Sequence, residues 1–131
     1  EILERDAAHW EREGFGPWIF RAGDGGGAVV ARGGLSRAHV NDRDEVEIGY
    51  AVAASRWGEG LATEIARASV RVAFEEIGLP DVVAFTRTTN IASQRVMEKA
   101  GLRREVEFEH VELAHVLFRL RNGLLASAPS S

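Results

Sequence analysis

Cysteine is absent from the 131 residues. That excludes a disulfide scaffold, a cysteine nucleophile and any thiolate metal site, and it fits a reducing, cytoplasmic setting. Proline is scarce, at 3 residues against 14 glycines, while apolar residues make up 45% of the chain, so collagen-like, mucin-like and wholly disordered readings fall away. No apolar run approaches the ~18 residues of a spanning helix and no signal-peptide pattern is visible, so no membrane role is expected. Positive charge is short as well. The 16 basic and 20 acidic residues leave a net charge of −4, with no basic stripe to follow a nucleic-acid backbone. At this length one domain is expected, covering 1–121, with 122–131 as a flexible tail ending in Ser127-Ala128-Pro129-Ser130-Ser131.

What is present is a mixed pattern of helix and strand. Ile2, Leu3, Ala7, Ala8 and Trp10 give residues 1–13 a rough apolar stripe, which predicts a helix stopped by Gly14, Gly16 and Pro17. Trp18-Ile19-Phe20 and Ala28-Val29-Val30-Ala31, around Asp24-Gly25-Gly26-Gly27, predict a hairpin. The polar residues 36–44 read as a loop. From Glu45 to Val52 the side chains alternate strictly, with Val46, Ile48, Tyr50 and Val52 on one face and Glu45, Glu47, Gly49 and Ala51 on the other.

After a connection at 53–60, Leu61, Ile65, Ala68 and Val72 recur at helical spacing, and a helix over 61–77 ends at Gly78. Val82-Val83-Ala84-Phe85-Thr86 is a strand of the type buried on both sides. Asn90 opens a second helix, closed by Gly101. Strands over 102–108 and 112–120 follow, turning near residues 109–111. This order implies an α+β fold, a mostly antiparallel sheet with one strand–helix–strand crossover, flanked by helices. It is not a dinucleotide-binding fold, because no complete Gly-x-Gly-x-x-Gly follows a strand.

Three clusters carry candidate chemistry. The connection Ser55-Arg56-Trp57-Gly58-Glu59-Gly60-Leu61-Ala62 joins strand to helix through paired glycines. Such a turn lets backbone approach a ligand, and the free amides and dipole of the helix start suit a phosphate or pyrophosphate, though paired glycines also serve as an ordinary turn. No Gly-Lys-Ser or Gly-Lys-Thr follows, which removes the nucleoside-triphosphate loop. Arg56 is either a phosphate contact or a solvated surface charge, and Trp57 fits packing under the helix. Asn90 and Ser93 form the second cluster, with Asn90 also explicable as a helix N-cap. The third is acidic: Glu45 and Glu47 share a face with Gly49 and Ala51, where a carboxylate could accept a proton or be half solvated. His9, His39, His110 and His115 have no metal-ligand spacing, so no metal is expected.

Together these segments carry a resemblance. Residues 45–52, Arg56-Trp57-Gly58-Glu59-Gly60-Leu61-Ala62-Thr63-Glu64, Phe74-Glu75-Glu76-Ile77-Gly78-Leu79, residues 90–102 and Val116-Leu117-Phe118-Arg119-Leu120 resemble the Gcn5-related N-acetyltransferases, most closely the ribosomal-protein N-terminal alanine acetyltransferase branch. The resemblance implies acetyl-CoA bound where two parallel strands part, 45–52 and 82–86. It implies that backbone near Val52 pairs with the pantetheine arm, that residues 57–62 hold the pyrophosphate with help from Arg56, and that Asn90 and Ser93 lie near the thioester. Acetyl transfer would be direct, to a primary amine of a small molecule or a protein N-terminus, with Glu47 as base and Ser93 as acid. Ser55 and Met97 depart from the family pattern, at positions that often carry a pyrophosphate-loop glutamine or arginine and a tyrosine acid. Members also carry a further strand and helix before the point matching Glu1, so the domain is expected to be N-terminally incomplete. Other readings are a non-catalytic acyl-CoA-binding regulatory domain, or a structural domain using an exposed sheet edge. A homodimer through an apolar edge at Val111 to Leu120 is a further expectation.

Overall fold

The alternating strand at residues 43–52 stands at the centre of a seven-stranded sheet among the described residues, with a strand paired to each of its edges. The structure, a computed structural model, describes residues 2–5, 17–21, 29–52 and 60–123. Its strands are β1 (Ile2–Arg5), β2 (Pro17–Arg21), β3 (Val29–Val40), β4 (Arg43–Val52), β5 (Asp81–Arg87), β6 (Arg103–His110) and β7 (Leu113–Arg121). Among the described residues two helices intervene: α1 (Leu61–Arg71), continued by a π-helical segment at Val72–Ile77, and α2 (Ile91–Lys99). The sheet order is β1-β2-β3-β4-β5-β7-β6, antiparallel except between β4 and β5. The crossover that joins those two carries α1, as the alternation of elements implies.

Four expectations need correction. Ile2–Arg5 is a strand paired with β2, not the start of a helix, because sheet pairing overrides the weak local stripe; the remainder of 6–13 lies outside the described residues. The loop expected at 36–44 is the tip of a hairpin. β3 runs to Val40, Asn41 and Asp42 turn the chain with φ of 49° and 62°, and β4 begins at Arg43. Ser36, Arg37 and His39 are exposed strand residues, and their polarity imitates a loop. The apolar stretch expected at a sheet edge is instead interior. β7 lies between β5 and β6 with Val116, Leu117 and Phe118 buried, and the edge strand is β6, studded with Arg103, Arg104, Glu107 and Glu109. Finally Asn122, placed by sequence in the tail, is buried and donates from Nδ2 to the Leu79 carbonyl at 3.0 Å.

The main core lies between the sheet and the helices, where Ile48, Val82, Ala84 and Val116 meet Ala66, Val72 and Met97. A satellite of Ala31, Leu61 and Ile65 seats the first turns of α1 over β3 and β4. Gly33 makes that approach possible. A Cβ there would lie 2.7 Å from Cγ2 of Ile65 and would collide with the Gly49 carbonyl oxygen, so the helix sits directly on bare backbone. On the opposite face Val40, Val83 and Leu117 form a third cluster with Phe85 and Phe108.

Candidate active site

The parallel pair β4 and β5 is joined at a single register position, Glu47 opposite Val83. Toward the other end of β4 the strands are held together by charge. Arg119 of β7 is buried and donates to both carboxylate oxygens of Glu45 at 2.6 and 3.0 Å, to Asp81 of β5 at 2.7 Å and to Glu105 of β6 at 2.9 and 3.0 Å. These bonds raise its pKa further, the Glu45 bond most, so the guanidinium is permanently charged. Glu105 reaches it from a bulge, where the β6–β7 register slips between Arg104 and Val106. Glu45, one of the two carboxylates singled out by the alternation, is thereby a structural group.

Beyond Glu47, β5 offers β4 no partner at residues 48 to 51 among the described residues. The strands part, and the gap opens into a cleft of about 960 Å³. Glu47, Val52, Gly60, Leu61, Ala62, Asn90 and Ser93, all expected at the site, line it. Arg56, Trp57, Gly58 and Glu59 lie outside the described residues. The residues that line the cleft come from both faces of β4. Tyr50 faces α2, and strand alternation therefore turns Glu47 to the opposite side.

Two helix starts border the cleft, and they differ. Gly60 precedes α1 with φ of 78°, a left-handed conformation open to glycine, and no side chain among the described residues caps the helix. The first intrahelical bond runs from the Glu64 amide to the Gly60 carbonyl at 3.0 Å, so the amides of Leu61, Ala62 and Thr63 have no acceptor within the helix. These amides and the helix dipole favour an anion. At α2 the Asn90 side chain accepts from the Ser93 amide at 3.1 Å, so Asn90 is an N-cap that also lines the cleft.

Glu47 is half-buried, and burial alone raises its pKa. Ser93 is bound through its hydroxyl to Tyr50, Oγ to Oη at 2.7 Å. Sequence reasoning missed Tyr50. The alternation places it on the apolar face, and its one signal is a phenol among valines and isoleucines at the end of the strand that enters the site. Met97 is buried in the core and offers no proton. The described residues contain no group of three or more metal-ligating side chains, and no helix long and apolar enough to cross a membrane.

Comparison with known proteins bears on this geometry. The model of the acetyltransferase (GNAT) domain family matches residues 1–103. The FsC-acetyl coenzyme A-N(2)-transacetylase of Aspergillus fumigatus is 42% identical over 92 residues, which are 68% of this chain and 39% of that protein. The chain therefore spans about two-fifths of that relative's length. Among solved structures, a GnaT-family acetyltransferase from Bordetella pertussis superposes with a TM-score of 0.76 at 23% identity, covering 86% of this chain and 70% of that one. The ribosomal-protein-S5-alanine acetyltransferase of Vibrio fischeri gives 0.73 at 14% identity, covering 88% and 67%. These two likenesses establish the fold and do not single out the alanine acetyltransferase branch.

Proposed function

The chain belongs to the acetyltransferase (GNAT) family, and from that premise we propose that it transfers the acetyl group of acetyl-CoA directly to a primary amine. One observation carries the reading. The splay of β4 from β5 brings a bare strand edge, an uncapped helix start, a half-buried carboxylate and a positioned hydroxyl to one cleft. Each answers a need of this reaction. The strand edge can bond an amide-bearing arm as an added strand would. The amides of α1, with the loop before it, can hold a pyrophosphate.

The chemistry then falls to this chain's residues. Backbone N–H near Val52 meets the charge that develops on the thioester carbonyl oxygen. Glu47, on the far side of the sheet, takes the proton that the attacking amine sheds. Ser93 hydrogen-bonds the departing sulfur while it gains its proton from water. A C–N bond forms, a C–S bond breaks, and the products are an N-acetyl amide and the CoA thiol. Because residues from both faces of β4 line the cleft, donor and acceptor can approach from opposite sides, and holding them in contact supplies part of the rate. The acceptor is a small amine or a protein N-terminus, the latter favoured only by the general likeness to the alanine acetyltransferase branch.

The test is calorimetric titration of acetyl-CoA into the chain Glu1–Ser131. CoA thiol release is then followed with an alanine-terminated peptide, a free amino acid, a polyamine and an aminoglycoside. About one site per chain and turnover with one of the amines is the expected result. Binding without turnover turns the reading into that of an acyl-CoA-binding domain, and no binding by folded protein overturns both.

A further inference from the structure

Ser93 has a single proton to present, and the structure raises the question of what keeps it available. Its amide is spent on Asn90 Oδ1 at 3.1 Å, which fixes the first turn of α2. Its hydroxyl lies 2.7 Å from Tyr50 Oη, and Tyr50 Oη is also 3.2 Å from the Ser93 carbonyl oxygen. The phenol therefore has two acceptors on the same residue. When Tyr50 donates to the carbonyl, Ser93 can donate back to the phenol and its proton is occupied. When Tyr50 donates to Oγ, the Ser93 proton is free to turn into the cleft. Switching between the two needs rotation of O–H bonds only, with no heavy atom displaced.

We infer that Tyr50 is a positioning residue for the transfer step: by donating to Ser93 Oγ it turns the Ser93 hydroxyl proton toward the departing sulfur. The inference rests on the reading of Ser93 given above. One further observation and one general principle support it. Tyr50 is half-buried, and burial raises its pKa, so it keeps its proton and remains a donor. A donor behind Ser93 also polarises the O–H bond that Ser93 offers, since hydrogen bonds in a chain strengthen one another.

The experiment is a double-mutant cycle on the full chain, with Tyr50→Phe, Ser93→Ala and both, following CoA release with whichever of the four amines turns over fastest. Tyr50→Phe should lower kcat by about 5–10-fold, the scale of one hydrogen bond to a developing charge, and leave KM for acetyl-CoA within about twofold. In the Ser93→Ala background it should cost nothing more. Equal losses in both backgrounds, or a raised KM with kcat intact, overturn the inference and leave Tyr50 as packing.

Because Tyr50 is the sole tyrosine, growth on 3-fluorotyrosine alters this residue alone, with little change in size and a more acidic hydroxyl. It guards against a folding defect in Tyr50→Phe. The alkaline limb of kcat should move to lower pH on fluorination; an unmoved limb counts against Tyr50, since Glu47 and Lys99, the other titratable groups that line the cleft among the described residues, are untouched. Wild-type turnover that Ser93→Ala leaves unchanged sinks the role of Ser93 and this inference with it. Failure of the wild type to turn over any amine sinks the transferase reading instead.

Discussion

The two ends of the β4–β5 pair solve opposite problems. At the closed end one guanidinium meets carboxylates from β4, β5 and β6, and buried charge is neutralised by charge. At the open end Glu47 is half-buried with desolvation as the sole cause of its raised pKa, and the amides of α1 start without a side-chain cap. The same two strands thus carry polar groups that are satisfied at one end and held ready at the other. The lesson is that the splay is a built feature: the clamp brings β4 and β5 together so that they can part a few residues later without separating the sheet.

The largest test breaks the closed end. Arg119→Met leaves buried Glu45 with only the exposed Arg43, 3.9 Å away, as counter-ion and should cost about 3–5 kcal/mol in chemical denaturation, the usual penalty for removing one partner of a buried pair. Acetyl-CoA affinity of the protein that remains folded should stay within about twofold. If affinity falls in step with stability, the two ends are coupled and do not act independently.

At the open end, Glu47→Gln should lower kcat/KM by about 100-fold, the low end of what a positioned base contributes. Its pH signature is directional. Burial penalises the carboxylate, so the base form of Glu47 fills at higher pH than that of an ordinary glutamate. The acid limb of kcat/KM should therefore lie above the usual carboxylate range and vanish in Glu47→Gln. The stability sign is the reverse of a salt-bridged acid: native Glu47 holds its proton more tightly than the unfolded chain does. Its contribution is full below the unfolded value and lost as pH rises through the folded one.

A smaller effect sharpens the comparison from above the sheet. Gly33→Ala pushes against Ile65 and the Gly49 carbonyl and should cost about 1–3 kcal/mol by overpacking. Since Ile65 belongs to the helix whose start borders the cleft, acetyl-CoA affinity should drop as well, by calorimetry. Lost stability with unchanged affinity means that α1 shifts without moving its first turn.

The sequence makes some of this legible and hides the rest for physical reasons. Alternation over 45–52 and the helical stripe from Leu61 are local patterns, and both elements stand where they are expected, as does the Asn90 cap. The Arg119 clamp was illegible because its partners lie as much as 74 residues away in sequence, and only sheet order brings them together. Tyr50 was overlooked because facing the core is the ordinary fate of an aromatic on that side of a strand. The hairpin tip at Asn41 and Asp42 reads as loop because Ser36, Arg37 and His39 are exposed and only Val40 beside the turn is a buried apolar residue, too few to show a hydrophobic period.

The single rung at Glu47 and Val83 has a mechanical consequence. It makes the sheet two panels, β1 to β4 and β5 with β7 and β6, hinged at one side and open at the other. A donor lodged in the wedge would then behave as a rivet, and resistance to heat becomes a function of its concentration. At 100 times Kd the gain is about 2.7 kcal/mol. A melting curve recorded in donor-free buffer describes the hinge, and one recorded at saturation describes the riveted plate.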